Sequence, residues 1–104
     1  MNKRAEAILH FWFKETSMDE RFSNNAVFDQ KIKDNFFEDY QKAIKNEYDV
    51  WQEHAKECLA LIIILDQFSR NLFRNNCIAF AMDNKARLIS NEAINRDYLK
   101  EFST

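Results

Sequence analysis

One stretch of the sequence constrains the fold more than any other: the unbroken apolar run CLALIIIL at residues 58–65, followed by the largely polar sequence DQFSRN at residues 66–71. A membrane-spanning helix needs about 18 apolar residues, so the run is too short to cross a bilayer. Residues 61–65 are β-branched enough for a buried strand, but helix-forming apolar residues precede them and no turn residues bracket them. The run therefore predicts a buried helix over residues 52–68, with the polar sequence at its end.

Glycine and proline are both absent from the 104 residues. Proline breaks helices and glycine weakens both helices and strands, whereas tight β-hairpin turns usually require glycine. The apolar fraction of 46% supplies enough material for a core and argues against disorder. A chain of this length forms one domain at most. We therefore expect a single all-α domain over residues 1–104.

Apolar residues recur at helical spacing on both sides of the central run. They predict helices at residues 3–14, 27–46 and 78–93, and a final segment at 96–102 could form a fifth helix. The polar stretch at residues 15–26 predicts a loop, with Asn24 or Asn25 as the cap of the second helix. Ala79, Ala86 and Ala93 recur every seven residues, and such small side chains let a helix approach its neighbour closely.

Charge and cysteine content exclude several classes of protein. Fifteen basic and seventeen acidic residues are interspersed and give a net charge of −2, so we expect no nucleic-acid binding and no membrane association. Cys58 and Cys77 follow no secretory signal, and Cys58 lies inside the apolar run. Reduced thiols in a cytoplasmic protein are therefore expected.

The sequence offers little that could hold a metal or a cofactor. His54 and Cys58 have the i, i+4 spacing of two metal ligands, but two ligands do not make a site, so we expect a surface histidine and a buried cysteine. Trp12, with His10 and Phe13, either packs in the core or forms the aromatic wall of a ligand site. A chain without glycine contains neither a phosphate-binding loop nor a nucleophile elbow. No metal, cofactor or catalytic residue is predicted.

The polar sequence after the apolar run has two interpretations. Asp66 lies four residues before Arg70, and Arg70 lies four before Arg74, the acid-first spacing of a helical ion pair. Asp66 also shares a helix side with Leu59 and Ile62, so its carboxylate is predicted to point at the interior, where a charge needs a partner. In the structural interpretation, Asp66 pairs with Arg70 or caps a following turn.

The other candidate residues differ in role between the two interpretations. In the structural one, Gln67 and Asn71 satisfy free backbone groups, and ion pairs of this kind are common. In the functional one, Arg70 and Arg74 present a pocket for a small anionic substrate. The residues of that candidate binding site are Trp12, Asp66, Gln67, Arg70, Asn71 and Arg74.

Residues 59–74, LALIIILDQFSRNLFR, resemble the signature of a bacterial family called domain of unknown function 924, which is written LALIILLDQFPRN followed by a hydrophobe, Phe and Arg. Further landmarks agree in order along nearly the whole chain: the FWF element at residues 11–13, Phe28-Asp29, Phe36, Trp51, and the AFA sequence at 79–81 with Asp83. Two positions depart from the family pattern, because Ser69 replaces a proline and Asn75-Asn76 replaces a glycine-containing turn.

The resemblance implies a tetratricopeptide-repeat-like array of four to five helices in antiparallel pairs, and it implies no known activity. Family members are considerably longer, and their second half carries a His-Ser-Glu element and an arginine-rich segment that these 104 residues lack. Helices that normally pack against that half would leave an apolar patch, and such patches mark interfaces. We therefore expect a homodimer, formed by a second copy covering this face or by exchange of helices.

Two functional hypotheses follow. The first is a non-enzymatic helical module that binds a protein or peptide, because stacked helix pairs offer grooves for that purpose. The alternative is an enzyme, or the remnant of one, that acts on a small anionic substrate at the Asp66, Arg70 and Arg74 cluster. The absence of a nucleophile motif, metal set or cofactor motif favours the first hypothesis.

Overall fold

A computed structural model describes residues 2–15, 26–74 and 76–98 of the chain. In these three ranges every regular element is helical, so the predicted all-α class is confirmed. The predicted loop at residues 15–26 and its caps Asn24 and Asn25 fall almost wholly outside the described residues.

Within residues 2–15, 26–74 and 76–98, the regular elements are four helices and two short connecting helices. In chain order they are α1, Lys3–His10, with a π-helical turn Phe11–Glu15; α2, Ala26–Ile44; a 3-10 helix, Asp49–Glu53; α3, built from the contiguous segments Ala55–Ile62, Ile63–Phe68 and Ser69–Leu72; a second 3-10 helix, Cys77–Phe80; and α4, Asp83–Asn95. The middle segment of α3 is π-helical. The predicted helices at residues 3–14 and 27–46 match α1 with its π turn and α2 closely.

The predicted end of the central helix at Phe68 is wrong, because α3 continues to Leu72. The backbone N–H of Ser69 donates to the carbonyl of Ile64, five residues earlier, as in a π turn. The Ser69 hydroxyl lies 2.8 Å from the carbonyl oxygen of Leu65 and 3.0 Å from that of Ala79, and it is buried. A serine therefore carries the helix through this position and ties it to the 3-10 helix before α4.

Two helices end with a residue in the left-handed conformation, the position that glycine usually occupies. Asn46 has φ 68° after α2, and Asp97 has φ 59° after α4. In each case the next N–H donates to a carbonyl five residues back, from Glu47 to Lys42 and from Tyr98 to Ala93. In α4 this turn begins at Arg96, so the predicted fifth helix does not start there, and residues 99–102 lie outside the described ranges.

Long-range contacts show that the helices form two antiparallel pairs. Arg4 near the start of α1 binds Asp39 near the end of α2. Arg70 near the end of α3 lies against Asp83 at the start of α4, and Arg96 beyond the end of α4 donates to the carbonyl of Gln52, just before α3. The predicted antiparallel helix pairs are thus confirmed, and the α3–α4 pair is stacked on the α1–α2 pair.

The core between the pairs is aromatic. Phe68 is fully buried, and its ring contacts those of Phe11, Trp12 and Phe36 at centroid distances of 6.2, 5.9 and 5.1 Å. The predicted alanine stripe along one helix is only partly correct: Ala86 and Ala93 are buried in α4, whereas Ala79, although buried, lies in the preceding 3-10 helix. Trp12 is buried against Phe68, so of its two predicted roles, core packing and the wall of a ligand site, the structure has the first.

Candidate functional site

The six predicted site residues do not form one cluster around the two arginines. Asp66, Gln67 and Arg70 belong to one hydrogen-bonded group, and Asn71 and Arg74 belong to a second one centred on Asp29. Each arginine is therefore bound to a carboxylate of its own.

The first group joins the end of α3 to the start of α4. The Arg70 guanidinium donates to the Asp66 carboxylate at 2.6 Å and lies 3.4 Å from that of Asp83. It also lies over the Phe80 ring at 5.3 Å, a cation–π arrangement. The Gln67 amide donates to the second Asp66 oxygen at 2.5 Å. The predicted pair between Asp66 and Arg70 is confirmed.

The predicted inward orientation of Asp66 is wrong, because its side chain is 33% exposed. Leu59 and Ile62, on the same side of α3, are also only half-buried. This side of α3 lies at the edge of its interface with α4. The run at residues 58–65 is apolar on every side of the helix, but one of those sides is only partly buried.

The second group is more enclosed and includes Asp29, which is not among the predicted site residues. The Arg74 guanidinium binds both carboxylate oxygens of Asp29 at 2.7 and 2.8 Å, and the Asn71 amide donates to one of them at 2.9 Å. The prediction that Asn71 satisfies backbone groups is therefore wrong. Burial of Asp29 opposes its ionisation, but the hydrogen bonds from Arg74 and Asn71 outweigh it and lower the pKa of Asp29. The pair fastens the start of α2 to the end of α3.

Because the pKa of Asp29 lies below its ordinary value of 3.8, the ion pair should stabilise the fold fully above that pH and lose its effect on further acidification. We expect Asp29→Asn to lower the free energy of unfolding at neutral pH by about 1 kcal/mol, since the pair is partly exposed. Below pH 4 the variant and the wild type should converge. Urea denaturation across this pH range measures the difference, and a gap that does not close on acidification would contradict the assignment.

A third ion pair holds the most deeply buried carboxylate among the described residues. Asp39 is 3% exposed and accepts hydrogen bonds from Arg4 at 2.5 and 3.1 Å and from the Tyr48 hydroxyl at 2.6 Å. Burial and the bond to Asp39 raise the pKa of Tyr48. One sequence signal could have identified Asp39, because it stands three residues after Phe36 and four before Ala43 on the buried side of α2.

An open groove of about 790 Å³ runs between α1 and α2. It is lined by charges of both signs, among them Lys3, Glu6 and Lys31, and by the apolar rings of Phe11 and Phe36. None of the six predicted site residues lines it.

One side of the α3–α4 pair is lined by half-buried and exposed side chains. We call it the open face, and its members are Leu59, Ile62, Asp66 and Arg70 of α3, Phe80 of the 3-10 helix, and Asp83, Arg87, Ser90 and Ile94 of α4. The contact between Arg70 and Asp83 joins the α3 members to α4, and the α4 members share one side by their spacing of three or four residues. Lys85, by contrast, bonds toward the end of α2 from another side of α4.

The open face has an apolar end and a charged end. Arg70 contacts Asp83, and equal steps along the two antiparallel helices from that contact place Ile94 near the level of Leu59. Ile94, at the apolar end, is 53% exposed, and the exposed Phe80 ring lies against Arg70 at the charged end. The charged end carries Asp66 and Arg70 in one row and Asp83 and Arg87 in the other.

Cys58 is buried and His54 is exposed, as predicted from their positions, and burial raises the pKa of the Cys58 thiol. Among the described residues, no helix is both long and apolar enough to traverse a lipid bilayer.

The family model for a bacterial protein of unknown function (DUF924) matches residues 8–104. The chain belongs to this family. Within the DUF924 fold, its structure is similar to that of a protein of unknown function, ATU0120, from Agrobacterium tumefaciens, with a TM-score of 0.86 and 39% sequence identity. The similarity covers 91% of this chain and 53% of that one, so the DUF924 chain described here spans about half the length of its structural neighbour. None of the curated proteins matches the sequence.

Proposed function

We propose that the chain is a non-enzymatic helical module that binds a helical segment of protein across its open face. The observation that carries this proposal is the pairing of Arg70 and Arg74 with carboxylates of the chain itself. Arg74 is held on both oxygens of Asp29, and Arg70 lies between Asp66 and Asp83. Strong donors committed in this way are poorly placed to bind a small anionic substrate.

The open face has the character of a protein-binding surface. In stacked helix pairs each pair contacts its neighbours. Here the outer side of the last described pair retains apolar residues, Leu59, Ile62 and Ile94, at one end. A groove between two helices accepts an amphipathic helix whose apolar residues are spaced three or four apart.

The cytoplasm is the compartment that we infer for this module. Both cysteines are free thiols, and Cys77 is exposed. An exposed free thiol is typical of a reducing compartment.

A fragment of the structural neighbour provides a probe. The part of the Agrobacterium chain outside the matched region, produced as a separate polypeptide, should bind this chain saturably in isothermal titration calorimetry. Ile94→Asp should weaken that binding about tenfold or more, because it places a charge in the apolar end of the face. Leu88→Asp is the matched control, since Leu88 is 66% exposed on another side of α4.

Two results would overturn the proposal: heat changes that show no saturable binding to the wild type, or equal affinities for the wild type and Ile94→Asp. Far-ultraviolet circular dichroism of both variants establishes that they are folded. We expect both to fold, because both substituted side chains are exposed.

A further inference from the structure

We propose that the partner of the open face is a second copy of the chain, in a parallel dimer whose two-fold axis runs along α3 and α4. This inference rests on the proposed function and names the occupant of the same face. It is carried by the order of apolar and charged residues along the two helices, which makes the face complementary to itself.

The antiparallel arrangement of α3 and α4 fixes which residues are level with each other. The contact between Arg70 and Asp83 sets the register. Moving one turn along both helices brings Asp66 level with Arg87, and continuing to the other end brings Leu59 level with Ile94. The open face therefore consists of successive pairs of residues, one from α3 and one from α4 at the same height. The apolar pair, Leu59 and Ile94, is at one end.

A two-fold axis parallel to the helices keeps each residue at the same height along the helix axes and exchanges the positions of α3 and α4. The α3 row of one copy then lies over the α4 row of the other. Asp66 would face Arg87 of the second copy, and the Arg70–Asp83 pair of each copy would stay intact and lie against that of the other with opposite charges adjacent. Leu59 would face Ile94 of the second copy, so opposite charges meet at one end of the face and apolar side chains at the other, and each contact occurs twice because the interface is isologous.

A two-fold axis across the helices would give a poorer interface. It would place the apolar end of one copy against the charged end of the other, which would desolvate charges without partners. The parallel arrangement avoids this cost.

Charged side chains on the open face keep exposed surface in addition to their bonds within the chain. Arg87 is exposed and its guanidinium bonds the neighbouring side chain of Asn84 on its own helix. Asp66 is one-third exposed and Asp83 is 40% exposed. These side chains form the polar part of the proposed interface around Leu59, Ile62 and Ile94.

Charge-swap variants test the register. Asp66→Lys alone should place two lysines against two arginines, and Arg87→Glu alone should place two carboxylates against two aspartates. Each variant should weaken self-association about tenfold, because like charges replace both symmetric contacts. An equimolar mixture should restore dimers, since the introduced lysine of one variant would then face the introduced glutamate of the other, and the wild-type residues would meet at the second contact.

Sedimentation equilibrium measures these masses at matched concentrations. We expect the wild type and the mixture to sediment as dimers of the 12.5 kDa chain, and each variant alone to shift toward monomer. Restoration in the mixture also shows that neither variant is unfolded.

A monomeric wild type, single variants that associate as tightly as the wild type, or a mixture that stays monomeric would overturn the second copy as the partner. If the neighbour's fragment still binds in the calorimetric experiment and Ile94→Asp weakens it, the proposed function stands and only the identity of the partner is wrong. If that binding also fails, both proposals fall.

Discussion

Phe68→Ala is expected to lower the free energy of unfolding by about 4 kcal/mol, as full truncation of a buried phenylalanine typically does. Phe68 is fully buried and its ring contacts rings from both α1 and α2, including Phe11 and Phe36. Removing it leaves a cavity where the two helix pairs meet, and three helices would have to shift to fill it. Chemical denaturation monitored by tryptophan fluorescence measures the loss.

Phe13→Ala is the matched control, because it removes the same side chain, one of ten phenylalanines, from a position where it is 48% exposed. Its substitution should change the free energy of unfolding by less than about 1 kcal/mol. Equal losses for the two variants would show that Phe68 is not the centre of the core.

Arg4→Ala is expected to lower the free energy of unfolding by about 2 kcal/mol. It leaves the carboxylate of Asp39 buried with the hydroxyl of Tyr48 as its remaining side-chain donor, and breaking a buried ion pair costs about 3–5 kcal/mol. The lower figure takes account of Arg4, whose side chain is half exposed and therefore screened by water.

The double variant Arg4→Ala with Asp39→Ala separates the ion pair from the packing of the two side chains. Because the charge and its partner disappear together, the double variant should be more stable than the sum of the single losses implies. Additive losses in thermal denaturation would contradict coupling between the two residues, and Lys33→Ala supplies an exposed basic residue for comparison.

Local periodicity was sufficient to predict that four helices occur among the described residues, but the predicted start of the fourth at residue 78 is wrong, because Cys77–Phe80 is a 3-10 helix and α4 begins at Asp83. The stripe of apolar residues in α2 and the absence of glycine and proline both describe interactions within a few residues, and these persist in the folded chain. The extent of α3 was harder to predict because it depends on a distant group. The carbonyl of Ala79 lies ten residues after Ser69 and receives its hydroxyl, which no local pattern encodes.

The candidate site illustrates the same limit. Spacing correctly paired Asp66 with Arg70, four residues apart on one helix. Spacing could not predict the partner of Arg74. That partner, Asp29, is 45 residues away in the sequence, and the two meet only when α2 packs against α3. The inward orientation of Asp66 was wrong for a further reason: the apolar character of α3 predicts burial on all sides, whereas the described chain covers only some of them.

That uncovered side is the central feature of the account, and Cys77 allows a direct test of it. Cys77 is exposed and lies in the 3-10 helix beside the charged end of the open face, whereas Cys58 is buried and will not react with a thiol reagent. A nitroxide on Cys77 therefore places one spin on each copy without any substitution. Two copies joined through their open faces hold these spins at a fixed separation.

Pulsed double electron–electron resonance on this labelled chain is the most direct measurement. The account predicts one narrow intermolecular distance for the wild type and for Leu88→Asp, and loss of the dipolar modulation in Ile94→Asp. Absence of modulation in the wild type would contradict the account, and so would a distance that persists unchanged in Ile94→Asp.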